Sequence, residues 1–383
     1  MFKRTYKMKF VLVALAIAGM TSCKDDDAVV APLRTTKIDY ATLTATTPYS
    51  NAFVDGGKTT VDLSNGNNRY KMFQALNTSM SSSISGNKVI DATVLKNMFA
   101  NTNNPFVDST KLNTSGVQLR NTVASSWSTA EAEVVKAKIE TLFSEIAEAS
   151  KSITSTAEKG KAGKLGSRLV DAKGIETNQI IQKSLIGALQ YDYIGNVLLT
   201  KGLDADNSKL VTGKNYSQLE QNWDEAYAFL TLNQAYLAGS TNTVRGTTEF
   251  ALGSYVWEYN QAAYPQVHLA FLKGRAAIVN NDKTELKKQA DFIKAAFEKA
   301  IAAAAVGYLG KWGNRTSEAD KVHDIGEGAG FIYSLRFCTV NGANAKFSDD
   351  ILTALLGSAN GYWDLTPAKI SAASDAIKAK FAL

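Results

Sequence analysis

From residue 68 onward, apolar residues recur three and four positions apart. In RYKMFQALNTSM, Tyr70, Phe73, Leu76 and Met80 fall on one helical face, and a second, shorter helix is expected at DATVLKNMFA. Residues 128–153 carry a long stripe of Val135, Ile139, Leu142, Ile146, Ala149 and Ile153. Ser128 precedes it, with Glu131 three residues on, the pattern of a capping box. The periodicity predicts further helices over 176–200, 217–237 and 249–280, with Pro265 marking a boundary near the middle of the last. Residues 284–308 give the cleanest stripe (Leu286, Ala290, Ile293, Phe297, Ile301, Ala304), with Thr284 as the expected cap. Helices over 318–340, over 348–357 and after Pro367 complete the pattern. Residues 101–126 read as a surface loop and KGKAGKLGSR as a mobile one. Residues 51–66 carry two glycine turn signals that fit a small hairpin. The fold class expected is all-α: eight or more antiparallel helices in bundle packing, with a short extended or β segment near the N-terminus.

The first residues break this pattern. Lys3, Arg4, Lys7 and Lys9 precede an uncharged, largely apolar run from Phe10 to Met20, too short to span a bilayer and suited to an export signal. Small residues lead into Cys23, so residues 1–22 read as a lipoprotein signal peptide and Cys23 as the lipidated first residue of the mature chain. Residues 23–50 read as a tether. The run Lys24, Asp25, Asp26, Asp27 fits a signal for the outer face of the outer membrane, or a solvated acidic leash. Of 42 basic residues, four leave with the signal, so 38 stand against 36 acidic ones and nothing favours nucleic acid as a partner. Cys338 then has no partner for a disulfide, and its apolar neighbours mark it as a small buried hydrophobe.

Chemistry is constrained by the presence of only two histidines, His268 and His323. No nucleophile elbow, zinc-protease, P-loop or dinucleotide motif occurs. His323 and Glu327 in KVHDIGEGAGFIYSLRF stand one helical turn apart. They are either two ligands for iron or zinc or a hydrogen-bonded pair at a helix interface. Gly326, Gly328 and Gly330 cost helix propensity and point to very close helix approach or a distortion near a ligand. In LEQNWDEAYAFL, Glu220 and Asp224 are also one turn apart. They either add oxygen ligands to a polar site inside the bundle or form a solvated acidic face, with Trp223, Tyr227 and Leu230 in the core. Lys273 and Arg275 in FLKGRAAIV bind an anion, pair with those carboxylates, or are surface charge.

These segments, with NRYKMFQALN and VLKNMFAN, resemble in order and spacing the bacterial lipoprotein family called domain of unknown function 4856, over roughly residues 38–380. That family looks related to the imelysin-like proteins. The resemblance implies a helical domain over 51–383 built from two packed bundles, about 51–200 and 201–383, and an association with iron uptake. His323 and Glu327 would match the imelysin H-x-x-E motif, with three intervening residues instead of two. Gln221 and Asn222 stand where many relatives have histidines. The function expected is a surface-anchored, non-enzymatic binding or accessory protein in metal (iron or haem) acquisition, with a divalent metal as the candidate cofactor. Its partners would be the outer membrane, through the lipid anchor, and an uptake-system membrane protein. The alternatives are an interaction module for a transporter, protein or glycan, and a metal-dependent peptidase, which needs three ligands and an open position.

Overall fold

Polar side chains cap the start of several helices. Ser128 Oγ accepts from the Glu131 amide while Glu131 reaches back to the Ser128 amide, the reciprocal capping box the sequence announced. The longest helix is capped differently from expectation. Asp282, not Thr284, accepts from the Glu285 amide at 2.9 Å, because an aspartate two residues earlier reaches the same orphan donor.

The computed structural model describes residues 33–383, apart from 108, 232, 233, 236 and 238 and the side chain of 247. The expected signal peptide and the expected lipidation site Cys23 lie outside the described residues. The fold is all-α, with 14 α-helices and two small hairpins among the described residues. A two-residue hairpin, β1 (Val54–Asp55) and β2 (Lys58–Thr59), precedes α1 (Ser64–Ser85) and α2 (Ala92–Ala100). Short helices α3 (Thr110–Asn113) and α4 (Leu119–Thr122) lead to α5 (Thr129–Ser150). A second hairpin, β3 (Gly163–Leu165) with β4 (Arg168–Val170), comes before α6 (Thr177–Leu185). This last helix runs directly into a buried π-helix, Ile186–Leu198. Then follow α7 (Gln218–Leu230), α8 (Asn242–Thr248), α9 (Leu252–Tyr259), α10 (Tyr264–Asn280), α11 (Lys283–Asn314), α12 (Glu318–Ser334), α13 (Ala345–Leu356) and α14 (Pro367–Phe381).

The central helix is α11, which packs against α9, α10, α12 and α14. On its far side α12 meets α6, and α10 leads through α7 to α1. Helices from before and after residue 200 therefore share one core, and the expected division into bundles near that residue is not a break in the packing. Cys338 is fully buried in that core, as its neighbours implied.

Several boundaries differ from the periodic reading. The 101–126 segment is not a surface loop throughout: Phe106, Leu112, Val117, Leu119 and Val123 are buried, and α3 and α4 lie within it. KGKAGKLGSR contributes the β3–β4 hairpin, since its glycines supply the turn. The helix expected to reach residue 237 stops at Leu230. Residues 34–50, assigned to the tether, are part of the body. Arg34, Leu43 and Tyr49 are buried, and the Asn280 amide exchanges two 2.8 Å hydrogen bonds with the backbone of Ile38.

Of the α12 glycines, Gly330 is placed by close helix approach, one of the two roles that the sequence left open. A methyl group on Gly330 would lie 2.5 Å from Lys183 Cβ and 3.0 Å from the Ile180 carbonyl oxygen of α6. Gly328 faces α11 with its nearest neighbour at 3.5 Å, an ordinary contact. Gly330→Ala is therefore expected to lower stability by about 1–3 kcal/mol through overpacking. Gly328→Ala is expected to be neutral or stabilising by up to about 1 kcal/mol from helix propensity. Chemical denaturation of the two variants checks the contrast.

Candidate functional site

The acidic face of α7 is neither solvated nor free. Glu220 and Asp224 are fully buried, and Arg275 of α10, equally buried, lies between them. Its Nε donates to Asp224 Oδ1 at 3.0 Å and its Nη1 to Glu220 Oε1 at 2.9 Å. Nη2 reaches the Thr60 hydroxyl at 3.0 Å and the Thr60 carbonyl oxygen at 3.2 Å. Arg34 supplies a second cation, donating to both Glu220 oxygens at 3.1 and 2.8 Å. Glu220 also closes a capping box at the start of α7, accepting from the Ser217 amide at 2.8 Å. The Tyr49 hydroxyl donates to Asp224 Oδ1 at 2.8 Å while its ring stacks on Tyr227 at 4.0 Å. Burial would raise the Glu220 carboxyl, but Arg275 and Arg34 hold it below its ordinary value. Burial wins at Asp224, which is pushed up to about 6 in spite of Arg275 and Tyr49.

Of the roles the sequence left open for Arg275, pairing with the carboxylates is the one observed. Lys273 sits roughly 200° round the helix from it, half-buried and away from these acids. Of the two acids expected as metal ligands, Glu220 has its oxygens engaged by Arg34 and Arg275, and Asp224 is engaged by Arg275.

The other candidate pair lies where α12 presses on α6. His323 Nδ1 is 2.9 Å from Glu176 Oε2, and His323 Nε2 faces Glu327 Oε1 at 3.7 Å. Glu176 and Glu327 are buried, and His323 keeps a partly exposed edge. The ammonium of Lys183 meets Glu327 Oε1 at 2.9 Å and lies 5.1 Å from the centre of the Tyr255 ring. Burial favours the neutral acid at Glu327, but Lys183 and His323 hold the carboxyl below its ordinary value.

The two pairs are thus built into different helix contacts and share no hydrogen bond. Among the described residues no three His, Cys, Asp or Glu side chains are grouped to hold an ion. Metal bonds of about 2.0–2.2 Å would let His323 and Glu327 share one, but two ligands with a lysine against the acid do not fit a resident metal.

His268 is spoken for as well. Its Nε2 lies 2.8 Å from the Thr47 carbonyl and must donate to it, so Nδ1 accepts from the Tyr227 hydroxyl at 3.0 Å. Burial holds this imidazole neutral by lowering its pKa. Of Gln221 and Asn222, Asn222 donates to the Gly202 carbonyl at 3.0 Å. Gln221 is buried on the same helix.

A cleft of about 500 Å³ opens beside α8–α10, lined by Leu237, Ser240, Arg245, Trp257, Gln261 and Tyr264 among others. The Arg245 guanidinium lies 3.9 Å from the centre of the Trp257 ring, bonds Asn242 at 2.6 Å and approaches Glu249 at 3.6 Å. The Tyr264 hydroxyl donates to the Ala235 carbonyl at 2.7 Å. Sequence reasoning passed over this cleft, because its residues come from three helices and the segments joining them, with no shared motif. It also missed Arg34, Tyr49 and Lys183. Only Lys183 left a trace, as a charge set within the apolar spacing of α6.

The molecule is an all-α protein whose buried acids on α7 and α12 are paired with cations of the same chain. A family model, domain of unknown function (DUF4856), matches residues 48–383, and the chain belongs to that family. No curated protein and no solved structure matches it.

Removing Arg275 would leave buried Asp224 without a cation and Glu220 with Arg34 alone. Arg275→Met is expected to cost about 3–5 kcal/mol, the magnitude for breaking a buried ion pair from one side, as read by urea denaturation. Beside the cleft, burial raises Glu249 to about 7 in spite of Tyr264 and Arg245. The folded chain then binds a proton at this site that the unfolded chain releases near its ordinary value of about 4.3. Its contribution is complete below that pH and is lost as pH rises to about 7. The difference in stability between wild type and Glu249→Gln, followed from pH 4 to 8, is expected to change over that window and level off above it.

Proposed function

We propose that this chain is a lipid-anchored, non-catalytic binding protein of the outer membrane that holds a neutral sugar ring in the cleft beside α8–α10. The cleft carries the reading. Its volume falls in the range of ligand sites, about 300–1,000 Å³, and its lining pairs aromatic surface from Trp257 and Tyr264 with the Gln261 amide. Arg245 is already engaged with Trp257, Asn242 and Glu249, which argues against an anionic ligand. A ring with one apolar face and a hydroxylated edge suits what is left. Export and anchoring rest on the basic head, the apolar run and Cys23. The partner implied is an uptake-system protein of the same membrane.

A role in iron or haem acquisition draws on the imelysin-like resemblance and on His323 beside Glu327. The ammonium on Glu327 weighs against it, and the cleft is the better-supported ligand position.

A panel of neutral oligosaccharides, screened by tryptophan fluorescence and then calorimetry, tests the proposal. At least one should bind, and Trp257→Ala should weaken it at least tenfold, while Lys346→Ala, on an exposed side chain far along the sequence, leaves it unchanged. No binder in the panel, or equal binding by the Trp257 variant, sinks the idea.

A further inference from the structure

The centre between α6 and α12 has the anatomy of a cation site. Two buried carboxylates flank one imidazole, and Glu176 on Nδ1 turns Nε2 towards Glu327. This is how a carboxylate commonly orients a ligating histidine. We propose that Lys183 is the resident cation of this centre, so that the chain fills from inside the position a divalent ion would take and requires no metal there.

Three observations carry this. The Lys183 ammonium is 2.9 Å from Glu327 Oε1, with both side chains almost wholly shielded from solvent. The absent side chain of Gly330 admits the root of Lys183 into the interface, where any Cβ would collide with it. Tyr255 then offers its ring face to the ammonium, and the Tyr255 and Tyr308 hydroxyls lie 3.4 Å apart beside it. A dication on Glu327 and His323 would stand against that ammonium with little water to screen the repulsion. The lysine and the ion are therefore mutually exclusive, and the buried helix contact favours the lysine.

The test uses the full chain. Wild type should melt at the same temperature in EDTA and in millimolar zinc or manganese, and should carry no stoichiometric metal after purification. Lys183→Met should melt several degrees lower in EDTA and recover part of that loss on adding zinc, since an ion that binds only the folded state stabilises it. Adding His323→Gln to the Lys183 variant should abolish the recovery. The inference is overturned if wild type carries one metal that His323→Gln removes. It is also overturned if a folded Lys183→Met variant ignores both metals. The wild-type measurement stands even if the variant does not fold. Neither result bears on the sugar cleft.

Discussion

Arg275 is the hinge of the molecule's energetics. A guanidinium with no access to water is tolerable only when each face is met by charge or by a hydrogen-bond acceptor, and here Glu220, Asp224 and Thr60 meet it. The three partners come from α7 and from the segment leading into α1, so one side chain fixes how the N-terminal segment, α7 and α10 come together. Aromatic packing follows from that placement. Tyr49 is held over Tyr227 by its bond to Asp224, and Tyr227 in turn holds His268 against the Thr47 carbonyl. Isolated from one another, these groups would each pay the cost of leaving water.

The same solution appears at a second place with different chemistry. Between α6 and α12 an ammonium takes the role of the guanidinium, and an imidazole joins the acids. Lysine presents a compact charge that phenol rings can surround, whereas arginine spreads five donors over several acceptors. The first centre accordingly ties four parts of the chain together, and the second joins α6 to α12 beside the phenol rings of α9 and α11.

Local pattern made much of the helical fold readable. The stripe on α5 and the capping box at Ser128 are patterns of residues about a turn apart and were legible, and the glycine spacing on α12 signalled the close helix approach found at Gly330. The start of α11 slipped because two acceptable caps, Asp282 and Thr284, lie within three residues. The candidate site was half legible. The acids of α7 were recognised as unusual, and Arg275 was among the cations considered for them. Missing was the information that a residue as remote as Arg34 would reach Glu220 across 186 positions. No periodicity encodes a contact of that separation. The pairing of His323 with Glu176 was hidden in the same way, since a turn-apart acid on its own helix was the only partner that spacing could propose.

The family match opens at residue 48, yet Arg34 lies upstream of it. A chain trimmed to the matched region would keep Tyr49 and Thr60 but surrender one of the two guanidinium groups on Glu220, together with the backbone that Asn280 clasps at Ile38. For this protein the folding unit therefore extends upstream of the region by which its family is recognised.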